Sequence, residues 1–471
     1  MMWVDRLARL LLLLYAAERG LKALALWDFF RRPAPVRGTA AWPAVTLLQP
    51  VTQGASNLAA VLAARARLHY DGRVQLLLIC DREDAESQAV CRAHLAEFPG
   101  LDAQIILAAP DTAAGVALKV TKLLAGLTHA TGAVLCFVDD DVLLPPDALQ
   151  TLLPYLDQPG VGAVFGLACY TDWSNHGSAL MSAFVNANAL PSYVPLTYLS
   201  DPYTITGHCF ALRREIFAAA GGLDGLGLHV GDDHMLAWRL QGIGLRCVQT
   251  PLIYRIENHF ATRRAYASQM KRWFIFPRQN LLPLLTPRQR LVSLLASVGN
   301  LIPGLLALLA LLTRRRSAAL ASGISLGLFA ALMAWIDRRF YRAATPWRHW
   351  PYLLLTALIA PFQVLGALLA DDQVEWRGQR WRIQRGGAAS RGTRAFPVIS
   401  KTKGKTPRAP TSSDPGSAVE TRGRGVLLRP AAAAVGAAAG AGQHSTADPE
   451  RGPHPGRMPG GQPAGAQLPG A

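Results

Sequence analysis

Three stretches of this chain, Leu291–Leu312, Ala318–Ile336 and Pro351–Ala370, contain no Asp, Glu, Lys or Arg. Each has about the length of a bilayer crossing, roughly 20 residues. Backbone groups in hydrocarbon must be satisfied within their own segment, so stretches like these fold as helices. Charged clusters bound them: Arg314-Arg315-Arg316, Asp337-Arg338-Arg339 and Asp371-Asp372. The alternative is three buried helices of a large soluble core. Three in a row with charged flanks favour spans. The expectation is a C-terminal transmembrane region over 286–384 with about three spans. Positive charge flanks both sides, so orientation stays open, and so does a re-entrant path for one segment.

A further apolar stretch runs from Leu7 to Trp27, interrupted by Arg9, Glu18, Arg19 and Lys22. Glu18 and Lys22 are four apart and predict a pair on one helical face. The reading is an N-terminal membrane anchor within 1–40, with an interfacial helix or a cleaved signal peptide as alternatives. Arg31, Arg32 and Arg37 follow at once and place the next domain in the cytoplasm by the positive-inside rule.

The chain has 471 residues and a formal net charge of +17, yet only 17% of its residues are charged. That is below the roughly 25% of ordinary soluble domains. Much of the basic excess sits beyond Arg385, in a tail rich in Pro, Gly and Ala with no Trp or Tyr. Nucleic-acid binding calls for a basic face interleaved with aromatics, so no nucleic-acid partner is expected. The region 385–471 shows no core-forming pattern and reads as a disordered, low-complexity tail. Six cysteines stand too far apart for a zinc ribbon or disulfide framework and read as buried free thiols.

Between these parts, residues 41–285 read as an α/β domain. Short apolar runs at Val45–Leu48, Val74–Cys80, Ile105–Ala108, Ala133–Val138 and Gly162–Leu167 alternate with helical stretches such as Ala55–Leu68 and Ala85–Phe98. That alternation predicts a mainly parallel sheet with helices on its faces. Ligands of such sheets bind beyond the carboxyl ends of the strands. Acids stand there: Asp81 ends one run, and Asp139, Asp140 and Asp141 end another. Three consecutive carboxylates repel one another. A divalent cation, Mg²⁺ or Mn²⁺, would resolve the repulsion and share its shell with substrate phosphates. Helix capping by Asp141 is the plainer alternative.

Asp232 and Asp233 begin a predicted helix. They read either as an N-cap pair or, for Asp233, as a general base. His229 and His234 flank them, as metal ligands or, more simply, as packed polar groups. Gln269, Arg272 and Trp273 stand at i, i+3 and i+4 and share one helical face. That face offers an amide, a bidentate phosphate-binding fork and a flat aromatic surface. A membrane-proximal basic-aromatic helix has the same composition.

In this order, Asp81, Asp139-x-Asp141, Asp233 and Gln269-x-x-Arg272-Trp273 resemble the D, D, D, (Q/R)xxRW pattern of membrane-bound family 2 glycosyltransferases. The chain most resembles the ceramide glucosyltransferase branch, family 21, and its bacterial relatives acting on hopanoid-type lipids. Lys119-Val120-Thr121-Lys122-Leu123 is similar to that branch's KV-x-N-L segment, with Lys122 where Asn is usual. Thr206–Arg214 followed by Gly221-Gly222, and Glu375-Trp376-Arg377-Gly378, are also typical. The resemblance covers roughly 42–385.

It implies a GT-A fold, a UDP-sugar donor and an inverting mechanism in a multi-pass protein, expected in a bacterial inner membrane. Asp233 would be the catalytic base. Asp139 and Asp141 would hold the metal. Asp81, Lys119, Asp232, Gln269, Arg272 and Trp273 would bind substrate, with Asp81 at the nucleotide base or ribose. The acceptor would be a membrane lipid, ceramide-like by preference. A processive polysaccharide synthase shares the motifs, and a non-enzymatic membrane protein is the alternative from a different class.

Overall fold

In a computed structural model describing residues 2–37, 41–51, 57–109, 118–229, 231–376 and 379–391, the apolar runs become strands. They are β1 (Val45–Pro50), β2 (Val74–Asp81), β3 (Asp102–Ala108), β4 (Val134–Val138), the short β5 (Val142–Leu143), β6 (Val161–Tyr170), β7 (Cys209–Arg213) and β8 (Arg246–Ile256). One sheet contains all eight, in the order β3-β2-β1-β4-β7-β6-β8-β5. β1 pairs in parallel with β2 and β4, β2 with β3, and β6 with β8. β7 runs antiparallel to β4 and β6, and β5 to β8. The sheet is thus mixed and mainly parallel. Every residue of β1 and β6 is buried, as in strands covered on both faces.

Two strands go beyond the sequence expectation. β7 lies inside the stretch Thr206–Arg214, where its five residues are too few to stand out. β8 carries Arg246, Gln249, Thr250, Pro251 and Arg255, which break its apolar run. Its register against β6 shifts between Phe165 and Leu167, opposite the segment holding Pro251, because Pro cannot donate to a ladder.

Helix α1 (Met2–Phe29) precedes the sheet. Around it lie α2 (Leu58–Ala66), α3 (Ala85–Glu97), α4 (Leu118–Leu127), α5 (Ala148–Leu152), α6 (His176–Leu196), α7 (Arg214–Ala219), α8 (Asp232–Gly242) and α9 (Arg263–Phe276). Successive strand residues point to opposite faces. Leu47 and Leu76 accordingly join one apolar core while Leu48 and Leu77 join the other. From β1 the chain builds outward to β2 and β3, then returns to set β4 on the other side of β1. This reversal opens a crevice at the carboxyl ends of β1 and β4, where the acids stand.

After α10 (Leu282–Leu284) come α11 (Pro287–Val298), α12 (Ile302–Thr313), α13 (Arg316–Arg339) and α14 (Trp350–Leu369). A 3₁₀ turn at Gly299–Leu301 joins α11 to α12. Among the described residues, Pro287–Thr313, Arg316–Arg339 and Trp347–Leu369 are long and apolar enough to cross a membrane. They match the three stretches read from the sequence. α1 packs with them and with α6 around Tyr15, Leu26, Ala183, Leu306 and Phe329.

Glu18, Arg19 and Lys22 of α1 turn inward, while Arg6 and Arg9 stay exposed. Glu18 pairs with Lys22 at 2.6 Å, as the spacing predicts, and with Arg19 at 2.8 Å. Leu10, Leu13, Leu14, Leu21 and Leu24 stay exposed. Near its start, Asp5 pairs with Arg315 between α12 and α13 at 2.5 Å. Near its end, Asp28 accepts from the Tyr198 hydroxyl at 2.6 Å.

Both ends of α14 meet the α/β layer that holds the sheet. Just ahead of it, Trp173 Nε1 donates to the Ala344 carbonyl at 3.1 Å, and Trp173 packs on His349 with ring centroids 5.3 Å apart. At its far end Arg278, just beyond α9, donates to the carbonyls of Ala367 and Ala370 at 2.9 and 2.7 Å. Lys271 pairs with Asp371 at 2.5 Å. Strands β9 (Gln373–Trp376), β10 (Gln379–Ile383) and β11 (Ala389–Arg391) then form a small antiparallel sheet packed on Ile275 of α9.

All these elements belong to one compact unit, Met1–Phe396, and the six cysteines are free and buried. Residues 55–56 of the expected second helix, residues 38–40 of the N-terminal region, Arg377 and Gly378 of the last motif, and the tail from 392 onward lie outside the described residues.

Candidate active site

Lys119 and Lys122 stand one turn apart on α4 and reach the two acidic sites at the sheet edge. Lys122 Nζ pairs with Asp81 Oδ2 at 2.8 Å, with Lys122 only 3% exposed. It also donates to the Val51 carbonyl at the end of β1. Asp81 Oδ1 is buried with no hydrogen-bond partner. Lys119 Nζ pairs with Asp139 Oδ1 at 2.5 Å and donates to the Gly207 carbonyl at 3.0 Å. Burial alone would lower its ammonium. Asp139, then Asp232 and Asp233, outweigh burial and raise it.

Strand β4 ends at Val138, so Asp139, Asp140 and Asp141 emerge at its carboxyl end. The Asp139 N–H donates to the His208 carbonyl at 2.9 Å. This follows from the pairing of Val138 with Cys209, which sets the segment before β7 beside the acids. Burial first, then the charges of Asp139 and Asp140, push the Asp141 carboxyl up to about 8. Its Oδ1 is buried without a hydrogen-bond partner. Among the described residues no three His, Cys, Asp or Glu side chains converge on one point. Asp139 and Asp141 therefore fit a cation that takes one or two carboxylates and fills its shell from a substrate diphosphate. The orphaned Asp141 oxygen and the repulsion around it are what such an ion would relieve.

Asp232 and Asp233 open α8. Gly231 before them has φ +96°, and a Cβ there would lie 2.3 Å from Phe276. Only glycine allows that turn and that approach. The Asp233 carboxylate lies against Gly207, where an added Cβ would meet Oδ2 at 2.7 Å. Its Oδ1 accepts from the His234 N–H at 2.8 Å. Burial, then the neighbouring charge of Asp232, push Asp233 up to about 7, against the pull of Lys119. His234 is buried edge-on to Phe276, with centroids 5.7 Å apart, and burial lowers it to about 4. That is a packing position. His229 bridges to Ala388 ahead of β11.

On α9, Arg272 Nη2 donates to Gln269 Oε1 at 2.5 Å, so the amide fixes the guanidinium. Trp273 stands edge-on to Tyr170, with centroids 6.4 Å apart, and near Phe184.

A cavity of about 790 Å³ joins these parts. Lys119, Asp139, Asp232, Asp233, Arg272 and Trp273 line one end, and Leu301, Phe329 and Val364 line its reach into the apolar helices. Asp81, Asp141 and Gln269 are not in that lining. Asp81 shares the sheet edge but stands two strand spacings from β4, roughly 10 Å away. Gln269 acts through Arg272.

Sequence reasoning did not find Tyr170, whose hydroxyl lies 3.4 Å from His208 Nε2, nor Arg65. Arg65 is buried beneath the site and donates to Gln49 Oε1 at 2.9 Å and to the Asp139 carbonyl at 3.4 Å. Arg65 stands in an alanine-rich helix with no local signal. The two lysines did carry one, in their i, i+3 spacing on a helix between two acid-ended strands.

Residues 10–389 match the family described as Glycosyl transferase family 21. A segment of 151 residues is 29% identical to the O-antigen biosynthesis protein RfbC of Myxococcus xanthus, covering 30% of this chain and 12% of that protein. The chain thus spans about an eighth of that relative's length. The structure is similar, with a TM-score of 0.43 and 18% identity, to the mannosyltransferase PcManGT from Pyrobaculum calidifontis in complex with GDP-Man and Mn²⁺, over 77% of this chain and 99% of that one. It is similar to GalNAc-T7 with UDP, GalNAc and Mn²⁺ at a TM-score of 0.38 and 12% identity, over 56% and 55%.

Proposed function

Because the chain belongs to glycosyl transferase family 21, a nucleotide-sugar-dependent glycosyltransferase with a GT-A fold, we propose that it moves one sugar from a UDP-sugar to the hydroxyl of a membrane lipid, with inversion. The preferred donor sugar is glucose and the preferred acceptor is ceramide-like. One observation carries this reading: the cavity that begins at Asp139 and Asp233 continues among apolar helices. A growing polysaccharide calls for a polar lining, whereas Leu301, Phe329 and Val364 suit a hydrocarbon tail.

The residues divide the work by position. Asp233 takes the proton of the acceptor hydroxyl as its oxygen bonds to the anomeric carbon. The bond from that carbon to the diphosphate breaks, and UDP leaves. A base poised near 7 is ionised at working pH yet basic enough for the transfer. Arg272, oriented by Gln269, and Lys119 face the charge that develops on the diphosphate. Asp81, with Lys122 behind it, meets the nucleoside, and Asp232 borders the donor. Trp273 and Tyr170 wall the acceptor side. Asp139 and Asp141 would hold Mg²⁺ or Mn²⁺, which neutralises diphosphate charge when bound.

A domain held against the inner leaflet brings a cytoplasmic donor to a lipid acceptor. This lowers the entropic cost of the encounter. Arg31, Arg32 and Arg37 support that orientation.

The test is UDP release from UDP-glucose by the full chain in nanodiscs, with and without ceramide, beside Asp233→Asn. Ceramide-dependent release, lost in the variant, is expected. Release that ignores every added lipid would sink the acceptor assignment.

A further inference from the structure

Where the cavity passes α1 and α11, polar groups stand inside an apolar layer. Arg19 and Tyr15 both line it, at 4% and 0% exposure. Arg19 Nη2 donates to Asn300 Oδ1 at 2.7 Å, and Asn300 Nδ2 donates to Asn188 Oδ1 at 3.1 Å. Asn300 sits in the 3₁₀ break between α11 and α12, and Asn188 on α6. The Arg19 guanidinium lies over the Tyr15 ring, 4.7 Å from its centroid. On the far side Glu18 pairs with Arg19 and Lys22, and Lys22 donates to the Ala296 carbonyl at 3.0 Å.

Arg19 is deep in the layer. It lies roughly 14 Å along the helix from Asp28 and roughly 21 Å from Asp5 at the helical rise. Two donors are left over: Arg19 Nη1 and the Tyr15 hydroxyl are buried with no hydrogen-bond partner. Buried donors without acceptors are costly, and more so in hydrocarbon. A cluster needed only to clamp α1 to α11 would be complete with Glu18, Asn300 and Ala296. The residues that carry these surplus donors line the cavity. Leu294 and Val298 of α11 also line it, yet are exposed on the apolar outer surface. The cavity therefore opens sideways beside Arg19.

Resting on the lipid-acceptor reading above, we propose that Arg19 and Tyr15, held by Asn300 and Asn188, form a second subsite for the acceptor lipid. It takes a hydrogen-bond-accepting oxygen, such as an amide carbonyl, carried apart from the hydroxyl that is glycosylated. The subsite selects lipids with two polar positions over simple long-chain alcohols.

The test uses the full chain in nanodiscs with UDP-glucose and two acceptors of matched length: an N-acylated long-chain amino alcohol and a plain long-chain alcohol. The wild type is expected to show a lower KM for the first. Arg19→Gln and Tyr15→Phe should each raise that KM about tenfold while leaving kcat on the plain alcohol and UDP-glucose binding unchanged. Tyr15→Phe keeps the ring and so serves where the charge change disturbs folding. A wild type that treats the two acceptors alike, or variants that lose both equally, would overturn the subsite and leave the lipid reading standing. If the wild type binds UDP-glucose but glycosylates neither, the ceramide-like acceptor reading falls and the subsite falls with it.

Discussion

Lys122 holds the Asp81 carboxylate at 2.8 Å from a position almost wholly buried, and Lys119, one turn away, holds Asp139 at 2.5 Å. Two acids at the ends of β2 and β4 are thus balanced by two lysines on one helix. Lys122 replaces the asparagine usual in the resembling segment, so its charge is a property of this chain. Lys122→Met leaves a buried carboxylate uncompensated. It should lower unfolding stability by about 3 kcal/mol, the scale of breaking a buried pair. The double variant with Asp81→Asn should regain much of that loss. Thermal unfolding of the four proteins in one double-mutant cycle checks it.

The raised Asp233 gives a pH dependence with a definite sign. The base works ionised, so kcat/KM should fall as pH drops through about 7. After burial, the next cause of its elevation is the negative charge of Asp232. Asp232→Asn should therefore move the acid limb to lower pH. A pH–rate profile of both proteins suffices, and an unmoved limb would assign the titration to another group.

Cation binding should be visible without turnover. A divalent ion relieves the repulsion that burial and Asp139 and Asp140 impose on Asp141. Mn²⁺ with UDP should therefore raise the unfolding temperature, and Asp141→Asn should abolish the increment. Chelation should stop UDP release, and added Mn²⁺ should restore it.

Gly231 allows the approach of Phe276 and the turn into α8. Gly231→Ala combines a disfavoured φ with a 2.3 Å contact and should displace Asp232 and Asp233 together. The expected outcome is kcat reduced about a hundredfold, the scale of roughly an ångström's misplacement. UDP binding through Asp81 should be retained.

The two ends of α14 are tied to the same layer, through Trp173 at one and through Lys271 and Arg278 at the other. A continuous helix of 20 residues held at both ends by one layer lies along that layer, with both ends on one side. Cysteines at Trp347 and Asp371 should both react with an impermeant maleimide from the catalytic face. Labelling from opposite faces would make α14 a span.

Much of this was legible in advance where the signal was local. Apolar runs marked β1, β2, β4 and β6 because strands covered on both faces are largely apolar. The shorter run Ile105–Ala108 marked only the end of the edge strand β3. The acids at their ends followed from where such sheets bind ligands. Charge-free segments located α11 to α14. β8 escaped because its apolar run is broken: Arg246 donates to Gln158, Arg255 faces solvent, and Gln249 is buried, arrangements that no local pattern records. The partners of Lys122, Arg65 and Arg19 escaped for a related reason: each lies in a different element. Composition alone made α1 look like an imperfect span. Three of its charges, on Glu18, Arg19 and Lys22, are inward-facing contacts.

The Arg19–Asn300 bond joins residues 281 positions apart. At translation rates of about 5–20 residues per second, α1 waits roughly a quarter of a minute to a minute before its partner exists. During that interval Glu18 and Lys22 can answer each other, but Arg19 has no Asn300. The first helix made therefore gains this partner only after the whole sheet and α11 have been made. Truncation before Asn300 would leave a buried cation for the cell's insertion and quality-control machinery to detect.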